Sequence, residues 1–163
     1  MEHQLNQLFQ YWQQFGAAVL IAKSEPATEE AFSAEQLIAE STRYCRHSGR
    51  LTWVVLDWML KNRGRINPAP LLKATRETGD LAVLGLLANA ANEQSPDAIF
   101  EKIMKGCKPN PAPDFFFFRI KNSKLASRLT MENPLPLFQN WNFWCNELRY
   151  LSGAAPPAGV GCS

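Results

Sequence analysis

The chain has 163 residues, enough for one domain with a substantial hydrophobic core but few for two. Apolar residues make up 46% of the chain and charged residues 20%, which is ordinary for a soluble globular protein. The formal net charge of +2 is too small to indicate a class of partner by itself.

The distribution of the charges is more informative than their sum. Residues 1–40 contain one Lys against six acids, residues 43–76 contain eight bases against Asp57, and residues 102–128 contain seven bases against Asp114. The two basic blocks could form a surface for an anionic partner, or they could neutralise the acidic N-terminal block within the fold.

Nothing in the sequence indicates export or a membrane. The four Cys residues (Cys45, Cys107, Cys145 and Cys162) are far apart and form no CxxC pair, so we expect reduced thiols and no disulfide framework. The N-terminus is rich in Gln and acidic rather than basic, unlike a signal peptide. The apolar run at residues 17–22 is too short to cross a bilayer. We therefore expect a cytoplasmic protein.

The first two helices are predicted from apolar periodicity and from a capping pattern. Residues 4–23 carry apolar side chains at the i, i+3, i+4 and i+7 spacing of an amphipathic helix. Ser33 followed by Gln36 forms a capping box that opens a second helix. Gly49 is expected to close that helix in the left-handed conformation.

The most apolar helix is predicted at residues 50–63, in the centre of the fold. Eight of the ten positions from 51 to 60 are apolar, the exceptions being Thr52 and Asp57. A helix without a polar face is buried by its neighbours, so we expect the other helices to pack around it. Asp57 is expected to pair with an Arg of a neighbouring helix, and Gly64 to close this helix as Gly49 closes the one before.

Three further helices follow after short connections, the second of them apolar nearly all round at residues 81–92. Short connections place neighbours in sequence next to each other in space. Each of these helices has a recognisable start signal: Asn67-Pro68, Asp80 and Ser95-Pro96-Asp97.

The pattern changes after Lys108, where three prolines exclude a helix. Residues 115–120 are the best strand candidate, but no ladder partner for them is evident in the sequence. They could instead form an extended segment across the helices with alternate Phe side chains buried, or they could pair with a second chain. A short helix to Glu132 and a last helix at residues 137–151 are predicted next. Residues 152–163 are expected to form a flexible tail.

These elements predict a mainly α protein, a compact bundle or array of about seven or eight helices with an extended Phe-rich segment after residue 108. We expect residues 1–151 to form a single helical domain. Residues 50–94 would form its centre, and residues 108–151 would supply the extended segment and the C-terminal helices.

We find no pattern typical of an enzyme. A nucleophile needs a base within reach, and the two His residues are His3, near the N-terminus, and His47, in the last turn of a predicted helix. A positively charged imidazole at that end would suit the helix dipole. No phosphate-binding glycine motif, HExxH motif or cluster of metal ligands is present. We therefore expect a non-enzymatic protein without a cofactor, a metal or a small-molecule substrate.

Binding to nucleic acid is one hypothesis. Residues 50–94 resemble, in the lengths of their elements, the three-helix core of a helix-turn-helix domain. The third helix of that core contains no Arg or Lys, so it is poorly suited to the major groove. The block at residues 43–76 could still grip phosphates without sequence specificity, through Arg46, Arg50, Lys61, Arg63, Arg65 and Arg76.

Binding to another protein, or to a second copy of this chain, is the hypothesis that we favour. The predicted C-terminal helix carries more aromatic side chains than one buried face takes, and Trp and Tyr are preferred interface anchors. Phe143 lies off the main stripe and is expected to point outward. A role at a membrane surface is disfavoured because Arg149 is the only base of this helix. The expected interface residues are Phe138, Trp141, Phe143, Trp144 and Tyr150, together with the Phe run at residues 115–118.

Overall fold

The protein is mainly α-helical, as predicted. The structure is a computed structural model that describes residues 1–17, 32–147 and 151. These residues form eight α-helices and one pair of two-residue strands. In chain order the elements are α1 (Glu2–Gln14), α2 (Ala34–Thr42), α3 (Gly49–Lys61), α4 (Pro68–Thr78), α5 (Leu81–Gln94), α6 (Ala98–Lys105), β1 (Asp114–Phe115), α7 (Lys124–Glu132), α8 (Pro136–Gln139) and β2 (Phe143–Trp144).

Most of the predicted helix starts are confirmed. The Ser33 hydroxyl accepts a hydrogen bond from the Gln36 amide at 3.1 Å, and the Gln36 side chain accepts one from the Ser33 amide at 3.0 Å. Pro68 is the first residue of α4, and the Asp80 carboxylate caps α5. Helix α6 is capped by Asp97 rather than by Ser95.

The predicted helix ends are less accurate. Helix α1 ends at Gln14 rather than at residue 23, because Gly16 follows in the left-handed region at φ 81°. Residues 18–31 lie outside the described part of the chain. Gly49 does not close α2 but begins α3, and Gly64 lies in a 3₁₀ turn without a positive φ.

Helix α3 is enclosed by the other helices, which confirms its predicted place. Every residue from 51 to 56 is buried, as are Trp58 and Met59. The Trp58 ring lies 5.6 Å from that of Trp12, and its indole N–H donates to the Phe15 carbonyl at 3.1 Å. The prediction for Asp57 is wrong: it pairs with Lys61 of its own helix at 3.0 Å, not with an Arg of a neighbour.

Helix α5 is the second buried helix, and it connects the helices to the C-terminal segment. Ten consecutive residues from 82 to 91 are buried. A Cβ atom on Gly85 would overlap the six-membered ring of Trp141, so this ring packs directly on the α5 backbone. The Trp141 indole N–H also donates to the Asn89 side chain at 3.1 Å.

The Phe-rich segment finds its strand partner within the chain. Strand β1 pairs in parallel with β2, with Asp114 opposite Phe143 and Phe115 opposite Trp144. The predicted strand at residues 115–120 is too long, because a 3₁₀ turn occupies Phe118–Asn122. The expected alternation of buried side chains is also wrong, since Phe115, Phe116 and Phe117 are all buried.

Within residues 137–147, the last predicted helix is replaced by a single helical turn and a strand. Helix α8 ends at Gln139, and Asn142 has a left-handed φ of 59°. The Asn142 side chain donates to the Asn110 carbonyl at 2.7 Å. The backbone carbonyl of Asn142 accepts a hydrogen bond from the Asp114 amide at 3.2 Å. These long-range hydrogen bonds stabilise a turn where the local pattern predicts a helix, because tertiary contacts outweigh helix propensity.

Candidate docking surface on helix α7

The aromatic residues expected at an interface belong to the core instead. The exposed fractions of the residues Phe138, Trp141 and Phe143 are 0%, 7% and 1%. The prediction that Phe143 points outward is therefore wrong. Trp144 is partly buried, with its ring 5.2 Å from that of Phe115, and Tyr150 lies outside the described residues. Phe138, Trp141 and Phe143 therefore belong to the protein's own core.

Arg46, the first of the basic residues expected to contact nucleic acid, is used inside the fold. Its guanidinium donates to the Phe115 and Phe116 carbonyls at 2.6 and 2.9 Å and to the Asp114 carboxylate at 3.1 Å. It also lies 4.1 Å from the centre of the Phe118 ring. With 12% of its side chain exposed, Arg46 cannot reach a phosphate backbone.

Other members of the basic block are also engaged within the chain. Arg63 donates to the Ser95 carbonyl at 3.2 Å and to the Asp97 carboxylate at 3.3 Å. Lys61 pairs with Asp57, whereas the guanidinium groups of Arg50 and Arg65 lie over the Phe9 and Trp58 rings. Arg76 is exposed on α4.

The burial of α5 also argues against the helix-turn-helix interpretation. The third helix of such a core must enter the major groove with its outer face free. In this chain α5 is that helix, and it is buried at ten consecutive positions. The likeness in element lengths therefore does not extend to the surface that would read DNA.

The three Cys thiols in the described residues are not activated as nucleophiles. Burial raises the pKa of Cys45, Cys107 and Cys145 to about 12, which favours the protonated thiol over the reactive thiolate. Desolvation and the Arg46 charge lower the pKa of His47, whose ring lies 4.6 Å from that of Phe118. This is opposite to the charged imidazole that the sequence suggested for His47.

Helix α7 carries a surface that sequence reasoning missed. Its two Leu residues and its Met are large apolar side chains turned to solvent: Leu125 is 57% exposed, Leu129 45% and Met131 48%. Thr130 is the only residue of α7 that is fully buried. Leu125 and Leu129, four residues apart, share one face of the helix.

The attachment of α7 to the protein explains this orientation. The helix packs chiefly against the preceding 3₁₀ turn. Ser123 caps it by accepting from the Ala126 amide at 3.2 Å, and the Ser127 hydroxyl donates to the Ile120 carbonyl at 2.9 Å. Small side chains such as Ala126 and Ser127 thus face the protein, and the large ones face outward. The apolar i, i+4 pair was the available signal, but such a pair normally predicts a buried face.

A groove of about 510 Å³ lies beside this helix. Lys121 pairs with Asp114 at 3.0 Å, and Arg128 pairs with Glu132 at the longer distance of 3.9 Å. Lys124 has no ion pair within residues 1–17, 32–147 and 151. The residues that line the groove are Lys121, Lys124, Ser127, Arg128, Met131 and Glu132. The groove therefore has a basic rim and an apolar element, Met131.

Comparison of the chain with models of protein families, with curated proteins and with solved structures found no match. Within the described residues, no three or more His, Cys, Asp or Glu side chains are placed to hold a metal ion. None of the described helices is both long and apolar enough to span a membrane. The fold defines a mainly α protein, and its candidate functional site is the exposed face of α7 with the adjoining groove.

Proposed function

We propose that this protein is a non-enzymatic interaction module that binds another protein chain through the exposed face of α7. One observation carries the proposal: α7 exposes Leu125, Leu129 and Met131 while it fully buries Thr130 alone. Leu125 and Leu129 lie on one face of the helix, and Met131 lines the groove on another. Exposed apolar surface with charged residues around it is typical of protein interaction sites. Covering these side chains with a partner would remove apolar surface from water and stabilise the complex.

The size of the surface indicates the kind of contact. A stable, specific interface buries about 800 Å² on each partner, contributed by roughly 20–30 residues. Helix α7 has nine residues, several of which face the protein itself. We therefore propose recognition of a short helix or peptide segment rather than an extensive permanent interface.

The experiment places a photo-crosslinking amino acid at Leu125 or at Leu129 in the full-length chain, in cells that express it. Both positions are exposed, so the substitutions should leave the fold intact. The matched control carries the same amino acid at Lys102, an exposed position on α6. Mass spectrometry should identify the same partner from both α7 positions and not from Lys102.

Two results would count against this function. One is the absence of a defined adduct from both α7 positions. The other is the same set of adducts from Lys102 as from Leu125 and Leu129, because that would indicate random contacts with abundant proteins.

A further inference from the structure

We infer that the groove beside α7 accepts an acidic segment of the partner protein that also carries a large apolar side chain. This inference rests on the proposed function and adds the chemistry of the partner.

The charges that line the groove are unequal. Lys121, Lys124 and Arg128 are basic, and Glu132 is the one acidic residue among the lining side chains. Since Lys121 is paired with Asp114 at 3.0 Å, the basic groups open to a partner are Lys124 and Arg128. The ion pair between Arg128 and Glu132 spans 3.9 Å, and its side chains are 69% and 57% exposed. Exposed pairs of this kind contribute little to stability, so a carboxylate of a partner could replace Glu132 at low cost. Lys124 can accept a new ion pair without losing one within the described residues.

The groove also offers an apolar contact. Met131 is 48% exposed and lines the groove together with the aliphatic stems of the basic side chains. Methionine adapts its shape to different apolar partners, which makes it common at surfaces that recognise varied peptides. The groove is an open depression of the surface with a volume of about 510 Å³. It is large enough for an apolar side chain flanked by carboxylates.

Nucleic acid is the competing occupant, because basic side chains also bind phosphate groups. A phosphate backbone would satisfy Lys124 and Arg128 but would leave Met131, the apolar side chain of the groove, in water. An acidic peptide with an apolar side chain satisfies both kinds of group. The mixed chemistry of this surface therefore favours a peptide.

The test uses full-length protein and fluorescent synthetic probes, with binding followed by fluorescence anisotropy. Two peptides of equal length carry Leu at the same positions and either Glu or Lys at all others. A third peptide keeps the Glu residues and replaces each Leu by Ser, and a single-stranded DNA matches the charge of the acidic peptide. We expect the Leu–Glu peptide to bind most tightly and to weaken as salt rises.

The decisive variant is Lys124→Glu/Arg128→Glu, which should weaken binding of the Leu–Glu peptide about tenfold or more. The matched control, Lys102→Glu/Lys105→Glu, makes the same change of charge at exposed positions of α6 and should change the affinity less than about twofold. Circular dichroism checks that both double variants keep the native helix content.

Three results would each overturn the inference. The first is equal binding of the Glu and Lys peptides, and the second is DNA binding as tight as that of the Leu–Glu peptide. The third is equal weakening of peptide binding by both double variants. If crosslinks from Leu125 and Leu129 persist in that case, the proposed function stands with a partner of different chemistry. If the crosslinks are absent while the groove still prefers the acidic peptide, the proposed function fails and the preference of the groove remains.

Discussion

Arg46 joins the Phe-rich segment to the helices. It lies in the 3₁₀ turn Cys45–His47, far in sequence from the two backbone carbonyls to which it donates. Those carbonyls belong to Phe115 and Phe116, whose side chains are buried. Although burial alone raises the pKa of Asp114, hydrogen bonds from Lys121, the Phe115 amide and Arg46 bring it below its ordinary value. One guanidinium thus satisfies two backbone acceptors and a carboxylate at once.

Replacing Arg46 by Ala should lower the free energy of unfolding by about 2–3 kcal/mol, because it leaves the Phe115 and Phe116 carbonyls without their charged donor. Urea unfolding measures this change. Arg46→Lys should lose less, since it keeps the charge but not the planar set of donors. Arg43→Ala is the control: the Arg43 side chain is 49% exposed, and its pair with Glu40 should contribute no more than about 0.5 kcal/mol. Equal losses for Arg43→Ala and Arg46→Ala would contradict the role of Arg46.

His47 should make stability depend on pH. Its pKa is lowered in the folded state, so the unfolded chain binds more protons as pH falls below 6.5. The contribution of His47 is therefore fully present above the unfolded pKa and is lost as pH falls through the folded one. Asp97 and Asp114, whose pKa values lie below 3.8, lose their contributions only at lower pH.

The measurement is the loss of unfolding free energy in urea between about pH 8 and pH 5. The loss should be larger for the native sequence than for His47→Gln, which cannot titrate at this position. His3 is present in both proteins and cancels in the comparison. An identical loss in the two proteins would show that the surroundings of His47 do not favour its neutral form.

Among the elements, α5 and α7 differ most in burial. Helix α5 is buried on all sides and contacts both the other helices and α8. Helix α7 has one fully buried residue and is tied to the protein mainly through Ser123, Ser127 and the preceding 3₁₀ turn. Helix α5 is therefore part of the core, whereas α7 exposes Leu125, Leu129 and Met131 to solvent.

The contact between α5 and Trp141 can be tested by adding one methyl group. Gly85→Ala should lower the free energy of unfolding by about 1–3 kcal/mol, because the new Cβ would overlap the Trp141 ring. In the control Gly64→Ala, a Cβ meets nothing within 4 Å, and the change should stay within about 0.5 kcal/mol. Urea unfolding of both variants checks this, and equal stabilities would show that Trp141 does not rest on Gly85.

The elements also show how far local sequence predicts structure. The starts of α2, α4 and α5 follow from Ser33, Pro68 and Asp80, since a cap or an N1 proline acts on the backbone next to it. In residues 140–147 the last predicted helix gives way to a turn and a strand, because Trp141 and Asn142 form hydrogen bonds with Asn89 and Asn110, which are distant in sequence. A periodic pattern over a few residues contains no information about contacts with residues that are distant in sequence.

At the scale of the whole molecule, one apolar cluster runs from Leu8 to Leu151 and includes helices, the Phe run and both strands. The C-terminal segment completes this core rather than forming a separate surface. Trp141 closes over α5 and Phe143 packs against Phe116, with ring centres 5.2 Å apart. Most of the aromatic residues that the structure describes are therefore part of the core. Apart from Met1, the large apolar side chains exposed in the described residues lie on α7.

The sequence by itself determined the mainly α class, the order of the helices and the burial of α3, because caps, prolines and apolar periodicity act locally. Only the tertiary structure decided that Arg46 faces inward, that Phe143 is buried and that Leu125 and Leu129 are exposed. The physical reason is that a periodic apolar face specifies which residues share a side of a helix but not which side another part of the chain covers. That choice depends on contacts across seventy residues, such as the hydrogen bond from Arg46 to Phe116.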